Sequence, residues 1–367
     1  MKKLLYIFLG LSLIFGCSDD SSDDNNDNNE PSNCDIVYLD DNGVTIKACP
    51  DSAIGMFGEV NGLTYEIIDI ATLKSMMENN EDLTLVCTSK ITDLSMEINE
   101  IFNSSFNQDI GSWDVSNVTN MDHLFSLAYS FNQDISFWDV SSVTNMYRMF
   151  NSASSFNQPI GEWVVSNVTD MSFMFWGAQD FEQDLSSWNV SNVTNMSAMF
   201  DAVEWFNSDI SNWDVSNVTD MSFMFRGSSN FNQDINSWDV GSVTDTHEMF
   251  KGAINFNKPL GDWDVSNVTT MFQMFRNTFY FNQDLSSWNV SNVTSMGNMF
   301  VGSAFNMPIG NWDVSNVTYM GGMFSGSDFN QDISTWDVSN VSYCTSFNFS
   351  GSLDQGFYPI FTNCDPD

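Results

Sequence analysis

The chain has 367 residues, of which 48 are acidic and only 10 are Lys or Arg, for a formal net charge of −38. Phosphate binding needs Lys and Arg, so such a surface is a poor partner for DNA, RNA or anionic lipid, whereas a cation or cationic partner suits it. Length alone suggests two domains, but the repetition described below points to one elongated unit.

Residues 1–17 read as a targeting segment. Lys2 and Lys3 form a basic end, Leu4 to Phe15 an apolar run, and Ile14-Phe15-Gly16-Cys17 a processing site resembling a bacterial lipobox. The run is too short to span a bilayer comfortably, so a lipid on Cys17 is the expected anchor and the membrane is expected to be touched only through it. Residues 18–33 hold only Ser, Asp, Asn, Glu and Pro and read as a disordered acidic tether.

Residues 34–97 do not repeat and read as an N-terminal α/β cap. Ile36 to Leu39 and Val44 to Lys47 flank an Asn-Gly turn, the pattern of a hairpin. Leu63 to Ile68 reads as a strand, Asp69 caps a helix through Met77, and Leu83 to Cys87 reads as a strand leading onward.

From residue 98 to 343 one unit recurs with apolar slots F-x3-I-x2-W-x-V-x2-V-x2-M-x2-M-F. Tryptophans frame it: Trp113, Trp138, Trp163, Trp188, Trp213, Trp238, Trp263, Trp288, Trp312 and Trp336. The step is 25 residues as far as Trp288 and 24 for the last two, the shortening falling in a loop. A fixed period of this size signals a solenoid whose units bury apolar faces only against their neighbours. Trp-x-Val has the period of a very short strand, which predicts a long parallel sheet. Thr-x-Met-x-x-Met-Phe has helical spacing, with Thr119 as N-cap and Gly177, Gly227, Gly252, Gly302 and Gly326 where the helix ends. Residues 344–367 depart from the pattern and read as a C-terminal cap.

These words resemble the BspA-like leucine-rich-repeat surface proteins of bacteria, in the subgroup with tandem F-N-Q-D-I-S-x-W-D-V-S-N-V-T-x-M-x-x-M-F repeats. The resemblance covers residues 106–349. It implies an α/β repeat fold: a leucine-rich-repeat-like solenoid with a parallel β-sheet of short strands and short helical turns, capped at both ends. It also implies display on a cell surface and a role in adhesion or binding, and does not imply catalysis.

Besides Cys17, the cysteines are Cys34, Cys49, Cys87, Cys344 and Cys364, all outside the Trp-framed repeats before Cys344. Outside the inner membrane disulfides are allowed. Cys34 with Cys49 would clasp the hairpin and Cys344 with Cys364 the C-terminal cap, leaving Cys87 buried and free; sequence alone leaves the other pairings open. No Cys-x2-Cys pair supports a structural zinc, and no metal site is expected.

Catalytic patterns are missing as well. His123 and His247 each fill a variable slot, no Gly-x-Ser-x-Gly elbow places a nucleophile, and no glycine-rich phosphate loop occurs. Asn-Val-Thr matches a glycosylation sequon, but its three residues also suit a turn, a core slot and a helix cap.

The sharper signal is acidic. Between Trp and Val stand Asp114, Asp139, Asp214, Asp239, Asp264, Asp313 and Asp337, interrupted by Val164, Asn189 and Asn289. A second column, before Ile or Leu, comprises Asp109, Asp134, Asp184, Asp209, Asp234, Asp284 and Asp332. Flanked by core residues, the first column should point outward as a candidate ligand or cation face. Hydrogen bonds to the turns, or weak calcium binding, would relieve its like-charge repulsion; the hydrogen-bonded role is favoured.

The sequence thus predicts a non-catalytic binding or adhesion module, a monomer without cofactor, lipid-anchored on the bacterial outer membrane and exposed at the cell surface. Its partner would be an extracellular protein or polysaccharide. A structural spacer or coat component is the alternative. Face residues that differ between repeats, such as Val164, Arg148, Arg226 and Arg276, speak for binding rather than spacing.

Overall fold

The computed structural model describes residues 34–96, 102 and 104–366. The expected signal peptide, Cys17 and the tether lie outside the described residues. Two units divide the chain, 1–34 and 35–367, and everything below concerns the second except for Cys34.

Regular secondary structure is concentrated at the beginning of this unit. Strands β1 (Val37–Leu39) and β2 (Ile46–Ala48) pair antiparallel around the Asn42-Gly43 turn. There Gly43 takes a positive φ, and Asn42 Oδ1 accepts from the Val44 and Thr45 amides. Strand β3 (Phe57–Val60) pairs antiparallel with β4 (Leu63–Ile67) through Asn61 and Gly62, both left-handed, as a tight hairpin requires. Sequence reasoning missed β3, whose burial alternates between exposed and half-buried and leaves no apolar face to read. Strand β5 (Val86–Cys87) runs parallel to β4. Helix α1 (Ile70–Glu78) starts where Asp69 Oδ1 accepts from the Thr72 amide at 2.8 Å.

The array does not take the predicted α/β form. Among the described residues, strands end at Cys87, α1 is the one α-helix, and neither helix nor strand occurs between residues 104 and 343. The expected parallel sheet is reduced to ten isolated parallel bridges, one residue per repeat, running from Asp93–Asn120 to Tyr319–Tyr343. They also sit in a different word from the one predicted: on the residue before the first Met, not on Trp-x-Val.

Backbone geometry supplies the reason. In the Met-x-x-Met-Phe word, residues in two columns are left-handed in every copy. One column includes His123, Arg148, Phe173, Ala198 and Phe223; the other includes Leu127, Ser152, Ala202 and the five glycines read above as helix ends. A helix needs successive right-handed residues and a strand successive extended ones, so neither propagates through such alternation. The amides split their bonding accordingly. Leu124 N–H closes a tight turn onto Met121 O at 3.2 Å, while Phe125 N–H crosses to Met149 O of the next coil at 2.8 Å. Around Trp-x-Val the amides of Trp138 and Val143 fold back three residues to Ile135 and Val140, which spends them in turns rather than in a ladder.

What forms is a stack of irregular coils with a continuous core. Phe106, Ile110, Trp113, Val115, Val118, Met121, Leu124 and Phe125 are all buried, as are their counterparts in later repeats, so the apolar slots are core. Backbone bonds from alternate amides set the register, as Met121, His123, Phe125 and Leu127 donate to the Asn145, Tyr147, Met149 and Asn151 carbonyls of the next coil, and side-chain ladders reinforce it. Each indole Nε1–H donates to the Ile or Leu carbonyl of the preceding coil, as Trp213 does to Leu185 O at 3.1 Å. Thr144 N–H and Oγ1 both bond the Thr119 carbonyl, at 2.9 and 3.1 Å, and the column repeats coil by coil. Phenylalanines stack in two columns, with Phe200 and Phe225 centroids 5.9 Å apart and 7° from parallel.

At the beginning of the stack, Leu83 O accepts from Trp113 Nε1–H and Leu83 N–H donates to Gln108 Oε1, so the segment before β5 acts as a preceding coil. At the other end Phe347, Phe357, Tyr358 and Phe361 close over the core, and a disulfide joins Cys344 to Cys364. Cys34 and Cys49 are also disulfide-bonded; Cys87 is free and buried, and burial pushes its thiol up.

Candidate functional site: the turn face of the array

The acidic columns turn out to be committed to the fold. Asp139, Asp214, Asp239, Asp264, Asp313 and Asp337 are exposed as expected, but Asp114 is only 4% exposed, because the segment after β5 covers it and Ser89 donates to its carboxylate. Each carboxylate accepts the backbone N–H two residues on, Ser216 to Asp214 and Ser266 to Asp264, for example. Asn189 and Asn289 accept the same bond from Ser191 and Ser291, which explains why Asp and Asn interchange there. Val164 is 56% exposed and lacks any such acceptor. The second column repeats the device, with Ser186 N–H on Asp184 and Ser286 N–H on Asp284. Hydrogen bonds from Ser216 and Ser315 hold Asp214 and Asp313 below the usual carboxylate range. Among the described residues no three His, Cys, Asp or Glu side chains assemble as a metal cage.

The Asn of Asn-Val-Thr is similarly spent. Asn217 Nδ2 donates to Ser191 O of the preceding coil at 2.8 Å, and Asn267 Nδ2 to Gly241 O at 2.7 Å.

Repeat-to-repeat variation gathers elsewhere, in the turns of the Met-x-x-Met-Phe-x word. His123, Arg148, Arg226, His247, Lys251 and Arg276 all fall there, leaving Lys258 as the one other cationic residue of the array. Arg148 lies over the rings of Tyr147, Phe173 and Trp176, at 5.1, 4.7 and 5.8 Å from their centroids. Its Nε is buried and has no hydrogen-bond partner, and no carboxylate pairs with it among the described residues. Three coils on, Arg226 is fully engaged: Nε and Nη2 bond the buried Asp201, Nη1 bonds Glu248 at 3.2 Å, and the guanidinium covers Phe223. Burial pushes the Asp201 carboxyl up in spite of Arg226. Lys251 completes the cluster on Glu248 at 2.9 Å.

Each histidine sits beside a carboxylate rather than alone. His247 Nδ1 lies 2.8 Å from Asp245 Oδ1 and its ring meets Phe223 edge-on; the bond to Asp245 raises the His247 pKa. His123 sits against Asp122 and Tyr147. Among the described residues neither has a serine or cysteine nucleophile as a hydrogen-bond partner.

Arg148, Arg226 and Arg276 were legible in sequence as departures from the repeat. The rings that receive Arg148 were not, since Tyr147, Phe173 and Trp176 occupy three different slots and only the stacking of coils brings them together. Arg276 is half-buried beside Gln273, whose Oε1 is buried and unbonded.

No curated protein and no solved structure matches the chain. A family model described as "Mycoplasma protein of unknown function, DUF285" matches three tandem segments, residues 69–188, 177–285 and 278–355. This supports a tandem-repeat family without carrying the leucine-rich-repeat assignment. Since these segments together span most of its length, the chain belongs to the DUF285 repeat family.

Proposed function

We propose that this protein is a non-catalytic binding or adhesion module that presents the turn face to a partner outside the cell. One observation carries the reading. In a chain with 48 acidic and 10 basic residues, the cations of the array gather in the turns of one word, Arg148 and Arg226 over aromatic rings, while the repeated polar columns are consumed by internal hydrogen bonds. Arginine beside Trp and Tyr is the composition of interface hot spots. A pure spacer would have no use for such a strip.

We place the protein at the surface of a bacterial outer membrane, attached through a lipid on Cys17, and read it as a monomer without cofactor. The lipobox-like Ile14-Phe15-Gly16-Cys17 and the acidic segment after it support this. The test is display of the full chain on an otherwise non-adherent cell, followed by adhesion to immobilised proteins and polysaccharides. Replacing Arg148, Trp176 and Arg276 together by Ser should lower adhesion at least tenfold. Adhesion no better than that of cells without the protein would contradict the reading.

A further inference from the structure

A second strip, away from the turn face, carries surface chemistry the fold does not use. Of seven large apolar side chains exposed between residues 104 and 343, four lie on the corner just before the Phe of each repeat: Tyr129, Trp205, Phe279 and Tyr280. Trp205 is 56% and Tyr280 61% exposed. Leaving rings of this size in water forgoes burial that the core offers to every Phe of the repeat, so their exposure calls for an occupant.

The spacing is regular. Trp205 and Tyr280 stand in the same slot three repeats apart, and Tyr129 falls one residue off that slot three repeats before Trp205. The corner stacks coil on coil, since Ser155 N–H donates to Tyr129 O at 3.2 Å and Asn230 N–H to Glu204 O at 3.2 Å. Equivalent Phe rings of this corner step 5.8–6.4 Å per coil, so three coils are roughly 18 Å and the rings form three stations along one edge.

Beside the stations runs the asparagine rank of the Phe-Asn-Gln corner. Asn132 Oδ1 accepts from the Asn157 amide and from Gln158 Nε2, at 2.9 and 2.8 Å, and Asn207 Oδ1 accepts from Asn232 in the same way. These bonds fix the amide planes through the oxygen and leave the Nδ2 donors of Asn132 and Asn207 without a partner among the described residues. At one coil the rank changes: Glu182 stands in the Asn slot, with its carboxylate outside the ladder, next to Trp205. Shallow clefts flank Trp205 on both sides, one lined by Asn132, Asn157, Asp180 and Glu182, the other by Glu182, Asp184, Asn207 and Asp209.

Flat rings with fixed amide donors and an acceptor carboxylate between them match a sugar, whose C–H face stacks on a ring while its hydroxyls donate and accept. We infer that this edge binds a neutral, extended polysaccharide laid along the stack, with sugar rings on Tyr129, Trp205 and Tyr280 and hydroxyls on the Asn rank and Glu182. Anionic polymers are disfavoured by the net charge of −38 and by the carboxylates of both clefts. A basic peptide fits less well: the carboxylates cluster at the Trp205 station, whereas Tyr129 has Ser130 and Ser154 beside it and Tyr280 has Asn255 one coil back. Rings and the Asn rank are what the stations share.

The inference rests on reading the chain as a binding module and names the ligand class. The test is affinity electrophoresis of the chain without its first 33 residues, in gels holding xylan, glucomannan, laminarin or starch, with polygalacturonate as the charged control. At least one neutral polymer should retard it. Trp205→Ala should weaken retardation at least tenfold, Tyr129→Ala and Tyr280→Ala each several-fold, and the triple variant should migrate freely with an unchanged melting temperature. Equal retardation of the triple variant overturns the proposal, as does failure of every neutral polymer. Binding of an Ac-Gly-Arg-Gly-Arg-Gly-amide peptide that is lost both in Trp205→Ala and on replacing Arg by citrulline would assign the edge to a basic protein partner instead. Adhesion that is lost with Arg148, Trp176 and Arg276 but kept in the triple variant would spare the binding-module reading while removing this one.

Discussion

The region before residue 96 and the array after residue 104 solve one problem by different means. The first folds largely as sequence patterns suggest, with a hairpin at Asn42-Gly43 and a capped helix, and adds the unforeseen β3 hairpin and the parallel pairing of β4 with β5. The array has one bridged residue per coil, yet alternate amides such as Met121, His123, Phe125 and Leu127 bond the carbonyls of the next coil in repeat after repeat. Indole-to-carbonyl bonds, the Thr hydroxyls and stacked Phe add side-chain ladders to that backbone register. The lesson is that a repeat can dispense with regular strands when backbone and identical side chains recur in register together, because each new coil finds donors and acceptors already in place.

That contrast gives the largest expected effect. Trp213→Ala removes a buried ring and the bond to Leu185 O, and should cost about 3–5 kcal/mol through the cavity. Trp213→Phe restores most of the volume yet leaves the Leu185 carbonyl unbonded, so it should still cost about 1–3 kcal/mol. Denaturant melts would check both. A Trp213→Phe variant as stable as the parent would show that the indole-to-carbonyl bond adds nothing to the register.

A smaller effect tests the left-handed columns. Gly227 has a φ of +71° and Ala202, in the corresponding slot of the preceding repeat, +58°. Left-handed geometry costs a residue with a Cβ roughly 1 kcal/mol or more. Gly227→Ala should therefore destabilise by about 1 kcal/mol and Ala202→Gly should stabilise by a similar or smaller amount.

The His247–Asp245 pair should add a pH dependence of at most about 1 kcal/mol, as both groups are partly exposed. The folded state raises the His247 pKa, so its contribution is full below about pH 6.5 and fades as pH rises through the raised value. Burial would raise Asp245, but the hydrogen bonds from His247 outweigh it and lower its pKa, so its share persists until pH falls through that lowered value. His247→Gln should then narrow the stability difference between pH 5 and pH 9; an unchanged difference would remove the pair from the account.

Much of this organisation was legible in the sequence. The Trp, Val, Met and Phe slots are all core, and Asp69 and Asn42-Gly43 announced the helix and the first turn. The array's backbone was not legible, for a physical reason. Met-x-x-Met-Phe has helical spacing, and the residues that break the helix include Phe173, Arg148 and Glu248, side chains that do not advertise a left-handed backbone. Glycines in five of the repeats were the available signal, and helix termination explains a glycine equally well. The acidic columns were found as columns, but their bonding to the amides two residues on depends on turns that the strand assignment hid. Trp205 was overlooked because it sits in a slot where most other repeats carry Ser, Asp or Asn.

The central claim is that the repeated polar side chains of the array serve the fold, and the acidic column tests it most directly. Asp214→Asn keeps an oxygen for the Ser216 amide, as Asn189 and Asn289 do for theirs, and removes one charge from a like-charged column. Asp214→Ala removes the acceptor. Denaturant melts of these two variants and the parent, each with millimolar calcium and with sodium chloride at matched ionic strength, separate the possibilities. The account predicts Asp214→Asn as stable as the parent or slightly more so, Asp214→Ala weaker by about 1 kcal/mol, and calcium no better than sodium. Stabilisation by calcium that exceeds the salt control and disappears in Asp214→Asn would contradict it, by showing that the column is held by an ion rather than by the turns.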